Sequence, residues 1–318
     1  MTDAAQSVFN QTVIMFMIVI IGALCYKFGL INDEGRKQLS NLVLYVVNPL
    51  LIFLSYMTDM RAELIEGFLW TAAMAAITYI AFIFLSKLIF RDKNSRDPLI
   101  ERFSVIYSNC GFMGTPLIFG VFGSDGVFIM NGFITVFNLF VWTHGVIMMS
   151  SGKAAGKGRT SLLKAVTSPA VIAVILGIIF FFTQIKLPDM IFTALNNVAE
   201  MTTPLAMIVA GASIMSAGII KSVKNLRIYI VAAVKLIVLP IAGFALIAFL
   251  PCADTAKLIT LIEFSCPAAA IGTMFAIKYE RNSEYASQIF AVSTLLSLIT
   301  LPFIVSLGSY CLEVLHTL

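Results

Sequence analysis

Long apolar runs follow one another along almost the whole chain, separated by short segments that carry most of the charged residues. A run of about 20 apolar residues is long enough to cross the hydrocarbon core of a membrane as a helix. The first run is preceded by no Lys or Arg and followed by no small-residue cleavage site, so it is interpreted as a span and not as a signal peptide. The pattern predicts ten spans, at approximately 8–28, 38–57, 66–90, 101–120, 126–149, 166–184, 191–217, 227–250, 256–277 and 285–313.

Two of the predicted spans contain residues that interrupt helices near the middle of the membrane. In span 4 these helix breaks are Gly111, Gly114 and Pro116, and in span 9 they are Pro267 and Gly272. Unpaired backbone groups are tolerated at membrane depth only where they are buried in protein or line a water-filled cavity. Spans 4 and 9 are therefore predicted to cross and to shelter each other. The alternative is that each proline only kinks its helix.

The two halves of the chain are related by a weak internal repeat. A shift of 155 residues aligns Pro49 with Pro204, and a shift of 156 residues aligns Cys110 with Cys266. Each half contains five predicted spans, and because five is odd the second half would enter the membrane from the opposite side. This arrangement predicts an inverted repeat, as in transporters that hold substrate near the membrane midplane between discontinuous helices.

Composition and charge support a membrane protein. The chain of 318 residues is 59% hydrophobic and 12% charged, with a mean hydropathy of +0.96, whereas soluble domains are about 25% charged. Of the 21 Lys and Arg residues, 17 fall in the odd-numbered loops and three in the even-numbered loops. Because cytoplasmic loops are rich in Lys and Arg, both termini are predicted to lie outside the cell (inner or plasma) membrane. The net charge of +4 follows from these loops and requires no nucleic-acid partner.

Polar residues beside the interruptions are predicted to bind a substrate. The N-termini of half-helices carry partial positive charge and unpaired N–H groups, which suit an anion. Local hydrogen bonds within a kink are the alternative role for these side chains. The predicted substrate-binding residues are Ser108, Asn109, Cys110, Gly111, Ser265, Cys266, Pro267, Asn48, Thr203 and Lys235.

Three ionisable residues lie deep inside the predicted spans, away from their ends, where such residues are rare and usually functional. Lys235 in span 8 is predicted either to attract an anionic substrate or to form a buried salt bridge with Glu263 of span 9. Glu263 and Glu200 are predicted to couple transport to a proton or to Na⁺. No cofactor and no metal are expected, because the five cysteines have no metal or disulfide spacing.

Three motifs together resemble the auxin efflux carrier family, whose bacterial members include proteins described as malate and malonate permeases. They are VVNPLLIF at 46–53, SNCGFMGTPLIFG at 108–120 and FSCPAAAIGTMFA at 264–276. The resemblance implies an all-α fold similar to NhaA-like antiporters and bile-acid symporters. In the Asn-Pro-Asn signature of plant members, Asn109 matches an asparagine, whereas Cys110 replaces the proline and Ser265 stands where span 9 would have its asparagine.

The same resemblance implies a division into a scaffold domain, a core domain and a linker. A homodimer formed through the scaffold domain is a further expectation. The predicted boundaries are scaffold at 1–60 (spans 1–2), core at 61–149 (spans 3–5), cytoplasmic linker at 150–163, scaffold at 164–220 (spans 6–7) and core at 221–318 (spans 8–10).

No catalytic motif is present, so the chain is predicted not to be an enzyme. There is no H-E-x-x-H, and the glycine-rich sequence GKAAGKGRT at 152–160 lacks the spacing of a phosphate-binding loop. The sequence predicts a secondary or facilitative transporter of small organic anions, most simply mono- or dicarboxylates, that works by alternating access. The alternative is an anion channel or a membrane receptor built on the same helix crossing.

Overall fold

The computed structural model describes residues 3–59, 61–91, 97–150, 169–216 and 225–317. Within these ranges every regular element is a helix. The predicted cytoplasmic linker, apart from Ser150, lies outside the described residues.

The first half of the chain contains seven described α-helices. They are α1 (Asp3–Lys27), α2 (Asp33–Leu42), α3 (Asn48–Ser55), α4 (Ala62–Ile89), α5 (Pro98–Ile106), α6 (Thr115–Phe140) and α7 (Val146–Ser150). The second half has eight in its described part. They are α8 (Pro169–Thr183), α9 (Asp189–Ala199), α10 (Thr202–Ser216), α11 (Leu226–Ala233), α12 (Leu239–Ile247), α13 (Asp254–Ser265), α14 (Ile271–Lys278) and α15 (Ser283–Thr317).

Short π-helical turns connect several of these helices. In the described ranges they are Val43–Val47, Cys110–Gly114, Val141–Gly145 and Val234–Val238. Three of the four end two residues before a proline, namely Pro49, Pro116 or Pro240. Proline has no N–H to donate, and its ring collides with the carbonyl four residues earlier. The wider π-turn accommodates this loss while the helix continues.

Seven helical segments in the described part are long and apolar enough to cross a membrane. This finding confirms a protein with several membrane-spanning helices. The number of segments is lower than the ten spans predicted. Spans 4 and 5 are counted together as Cys110–Ser150, span 6 is the shorter helix Val171–Thr183, and span 9 consists of the two short helices α13 and α14. Large apolar side chains such as Phe84 and Ile299 are exposed.

Two pairs of helices pack so closely that their backbones are in contact. A Cβ atom on Gly22 of α1 would overlap the backbone of Ile208, and one on Gly211 of α10 would overlap the backbone of Val19. Gly132 of α6 packs in the same way against Phe68 of α4. Small residues permit such close approach between membrane helices.

Candidate functional site

Two non-helical segments meet inside the helical bundle. Residues 107–109 follow α5, and residues 266–270 separate α13 from α14. They form an antiparallel bridge between Ser108 and Ala268. The N–H of Asn109 donates to the carbonyl of Pro267 at 2.8 Å, and the N–H of Ala269 donates to the carbonyl of Tyr107 at 3.0 Å. These two segments, the paired breaks, thus satisfy part of each other's backbone.

The break in span 9 follows directly from its proline. A residue that precedes proline is pushed out of the helical region, and Cys266, which precedes Pro267, has ψ of 152°. The helix α13 therefore ends at Ser265 and begins again as α14 only at Ile271. In span 4, Tyr107 is likewise extended, with ψ of 120°.

Four residues predicted as helix breaks lie inside helical segments instead. Gly111 and Gly114 belong to the π-turn Cys110–Gly114, Pro116 is the second residue of α6, and Gly272 is the second residue of α14. Proline is tolerated in the first turn of a helix, where its missing N–H needs no partner. The breaks themselves lie earlier in each span than these four residues.

Gly114 and Gly272 make reciprocal contacts between the two broken spans. A Cβ atom on Gly114 would overlap the Glu263 carboxyl group of α13, and one on Gly272 would lie 3.0 Å from the Phe103 ring of α5. Each broken span therefore presents a glycine to a side chain of the other. The small size of glycine is what lets the two spans approach.

Lys235 reaches the paired breaks from the π-turn of span 8. Its Nζ donates to Ser108 Oγ at 2.6 Å and to the carbonyl oxygen of Phe264 at 3.3 Å. Ser108 Oγ also donates to the Phe264 carbonyl at 3.2 Å. The predicted ion pair with Glu263 is not formed, since both carboxyl oxygens of Glu263 lack a hydrogen-bond partner among the described residues.

Several polar atoms at or opposite the breaks are buried without a partner in the described part of the chain. They are Asn48 Oδ1, Asn109 Nδ2, Ser265 Oγ and both carboxyl oxygens of Glu263. Asn109 is 4% exposed and Asn48 7% exposed. Asn48 begins α3, and its Nδ2 would lie 3.7 Å from a Cβ atom on Gly111. Buried polar groups are nearly always hydrogen-bonded, so this cluster is unusual and marks a candidate ligand site.

The remaining predicted residues are not all at this cluster. Cys110 and Cys266 are fully buried at the breaks. Thr203 is partly exposed in the first turn of α10. Glu200 is exposed between α9 and α10, where its Oε1 accepts a hydrogen bond from Asn196 Nδ2 at 2.9 Å.

The structure adds a buried polar cluster on α5 that the sequence did not indicate. Glu101 is fully buried and accepts hydrogen bonds from Arg227 Nε at 3.0 Å, Arg227 Nη2 at 2.9 Å and the Tyr285 hydroxyl at 2.7 Å. Asp97, at the start of the same helix, pairs with Arg281 at 3.5 Å. These contacts fix the short helix that leads into the first break. Glu101 falls at the predicted boundary of span 4, where the sequence pattern does not indicate whether a charged side chain is buried.

A narrow cavity adjoins the π-turn that follows the first break. It has a volume of about 10 Å³, lies beside Met113 and is lined mainly by apolar side chains of α1, α6, α10 and α15. This is room for about one water molecule. The space between these helices is therefore closed to a substrate in this conformation.

Apolar helices of membrane-spanning length around a buried polar site are features of a membrane transporter. Residues 7–305 match the family described as membrane transport protein, and the chain belongs to that family. The resemblance to the auxin efflux carrier family is thus confirmed at the level of the family.

Two archaeal relatives extend over nearly the whole chain. An uncharacterized transporter of Methanocaldococcus jannaschii is 28% identical over 305 residues, covering 90% of this chain and 94% of its own length. An uncharacterized transporter of Methanothermobacter thermautotrophicus is 26% identical over 300 residues, covering 92% of this chain and 96% of its own. The chain is accordingly a multi-pass membrane protein.

Proposed function

We propose that the chain is a secondary or facilitative transporter of small organic carboxylates that works by alternating access and binds its substrate at the paired breaks. The observation that carries this proposal is the cluster of buried, unpartnered polar atoms around two interrupted helices. A site of this kind at membrane depth is costly unless a ligand uses it.

Helix polarity favours an anion as the ligand. The segments that begin at Cys110 and at Ile271 have their N-termini at the breaks, and the first N–H groups of a helix have no partner within it. The Asn109 amide nitrogen, which is a donor, has no partner among the described residues. A carboxylate accepts hydrogen bonds from backbone N–H and side-chain amide groups alike.

We propose ten spans in two inverted repeats, and two features of the described helices support this count. Gly123 lies inside the segment counted as Cys110–Ser150, and its φ of 65° interrupts the helix between spans 4 and 5. With α8 as span 6 and α13 plus α14 as span 9, the helices group into five spans per half. This grouping supports an inverted repeat.

Contacts between loops support the same topology. In the odd loops and the span ends that border them, Ser216 Oγ donates to Asp33 at 2.8 Å, and Arg281 contacts both Asp97 and the carbonyl of Met149. Among the even loops, Lys186 lies 3.8 Å from Asp59. Odd loops thus meet odd loops and even loops meet even loops, as opposite membrane faces require.

Alternating access would move a core domain, spans 3–5 and 8–10, against a scaffold of spans 1, 2, 6 and 7. The narrow cavity lies where α1 and α10 of this scaffold face α6 and α15 of the core. We propose that this contact opens to admit the substrate. A homodimer through the scaffold domain stays a prediction.

Glu263 is the residue that best fits a coupling role. It is fully buried, and neither carboxyl oxygen has a hydrogen-bond partner in the described structure. A carboxyl group in such a place is tolerated when neutral and costly when charged. Gain or loss of one proton there would therefore change the stability of the paired breaks, which supports a proton over Na⁺ as the coupling ion.

The test is a comparison of carboxylates on purified and reconstituted protein. We expect malonate or malate to raise the thermal unfolding temperature, because a ligand that binds only the folded state stabilises it. Uptake of the same acid into vesicles should saturate and show counterflow, and it should respond to a pH gradient more than to a Na⁺ gradient.

A conductance that does not saturate would favour the channel alternative. Stabilisation without any uptake would favour the receptor. Neutral analogues of equal size, such as malonamide, serve as the control for charge. If no carboxylate shifts unfolding or crosses the membrane, the proposed substrate class is wrong.

The topology gives a second prediction. Glu34→Cys, in the first loop, should react with an impermeant maleimide only in permeabilised cells, whereas Asp189→Cys, in the sixth loop, should react in intact cells. Both positions are exposed. The native cysteines are first replaced or blocked. The reverse pattern would mean that the termini lie inside.

A further inference from the structure

Lys235 lies where the C-terminal ends of two half-helices meet in the paired breaks. Helices α5 and α13 both end there, so both direct their C-termini into the breaks. The Phe264 carbonyl that receives the Lys235 amine lies in the last turn of α13, and Ser108 lies two residues beyond the end of α5. The amine therefore touches the ends of both half-helices.

The charge of Lys235 offsets that of the two C-terminal helix ends it contacts. The C-terminus of a helix is equivalent to roughly half a negative elementary charge. Two such ends meeting in the protein interior amount to about one negative charge. The Lys235 ammonium supplies one positive charge among them and is itself completely buried.

We propose that Lys235 is the built-in counterion of the paired breaks and occupies the position that a bound monovalent cation would otherwise fill. A hydroxyl oxygen and a backbone carbonyl oxygen surround its Nζ, and oxygen atoms of these kinds also hold alkali cations in proteins. The substrate anion then binds at the opposite, N-terminal ends of the half-helices and not at Lys235. Only this last statement rests on the proposed function.

The experiment removes the amine and returns it as a small molecule. In Lys235→Ala the lost atoms are Cγ, Cδ, Cε and Nζ, which together correspond to n-propylammonium. Without any carboxylate, we expect the thermal unfolding temperature of this variant to fall by roughly 5 °C or more below that of the unsubstituted protein. Addition of n-propylammonium chloride should restore at least about half of that loss, as expected for a ligand of the folded state.

Two controls isolate the effect. Tetramethylammonium chloride at the same concentration has the same charge but no N–H donor, and it should not restore stability. Lys257→Ala removes a second buried lysine, which is 6% exposed and lies 3.6 Å from Asp254 at the start of α13. Because the partner Asp254 is 35% exposed and water can solvate its carboxylate, n-propylammonium should restore a smaller share of the stability lost by that variant.

A milder variant keeps the proposal testable if Lys235→Ala cannot be purified. Lys235→Gln retains a hydrogen-bond donor but not the charge, so its unfolding temperature should still lie below that of the unsubstituted protein. An unchanged unfolding temperature with loss of malonate stabilisation would assign Lys235 to the substrate and overturn the proposal. Lack of any response of Lys235→Ala to n-propylammonium would also overturn it. The unfolding temperatures without carboxylate and the response to n-propylammonium need no substrate, so these results stand even if the carboxylate proposal fails.

Discussion

Asn109→Ala is expected to lower malonate uptake at sub-saturating concentration by about 10- to 150-fold, since a hydrogen bond to a charged ligand contributes about 1.5–3 kcal/mol. The Asn109 amide nitrogen has no partner among the described residues. Truncation of this side chain therefore removes no hydrogen bond made by that nitrogen within the described protein. The unfolding temperature without ligand should stay close to that of the unsubstituted protein, while malonate should stabilise the variant much less.

Asn131→Ala is the matched control for this result. Asn131 is fully buried, and its Nδ2 donates to Ser55 Oγ at 3.0 Å. Its loss should lower the unfolding temperature, because a bond within the protein is removed, and should leave the malonate concentration for half-maximal uptake nearly unchanged. Asn109→Asp keeps the shape of the side chain but adds a like charge, so it should impair uptake more than Asn109→Ala. Uptake by Asn109→Ala that matches the unsubstituted protein across a malonate titration would exclude Asn109 from the site.

The existence of two interrupted spans could be predicted from the sequence, but their detailed register could not. Helix α13 begins 156 residues after α5 (Asp254 against Pro98) and ends 159 residues after it (Ser265 against Ile106). Consequently Cys110 begins a helical segment, whereas Cys266, its partner in the sequence alignment, follows the end of one. Proline pushes the residue before it out of the helical region. A helix interrupted by a proline therefore ends on the N-terminal side of that proline.

The partners of buried charges depend on which helix faces are brought together. The burial of Lys235 was expected from its place in span 8, but its bonds to Ser108 and the Phe264 carbonyl arise from three spans meeting at one point. Where the helix is interrupted, a backbone carbonyl lacks its helical hydrogen-bond donor. An amine can donate to this carbonyl as it would to a carboxylate. A carbonyl freed in this way has no mark in the sequence, so the sequence predicts only charged partners for Lys235.

Gly114→Ala is expected to destabilise the protein, although the same change in an open helix would stabilise it by up to about 1 kcal/mol. A Cβ atom at this position would overlap the carboxyl group of Glu263 on the other broken span. Insertion of a methyl group into a packed interior costs about 1–3 kcal/mol. The unfolding temperature should therefore fall by several degrees, and uptake should be lost with it as the two spans are forced apart.

Gly111→Ala separates this effect from a general intolerance of side chains in the π-turn. The nearest atom to its added Cβ would be Asn48 Nδ2 at 3.7 Å, an ordinary contact. This variant should unfold close to the temperature of the unsubstituted protein. It should still bind malonate less well, because the methyl group projects toward one of the proposed substrate-binding amides.

A double-mutant cycle tests whether the overlap with Glu263 is what destabilises Gly114→Ala. In a Glu263→Ala background the space beside Gly114 is open, so addition of Gly114→Ala should cost little or nothing there. An equal cost in both backgrounds would show that Glu263 is not the obstacle. If the cost disappears, the carboxyl group proposed to carry the proton packs directly against the helix proposed to hold the anion. A change in its charge would then act on the substrate site through that single contact.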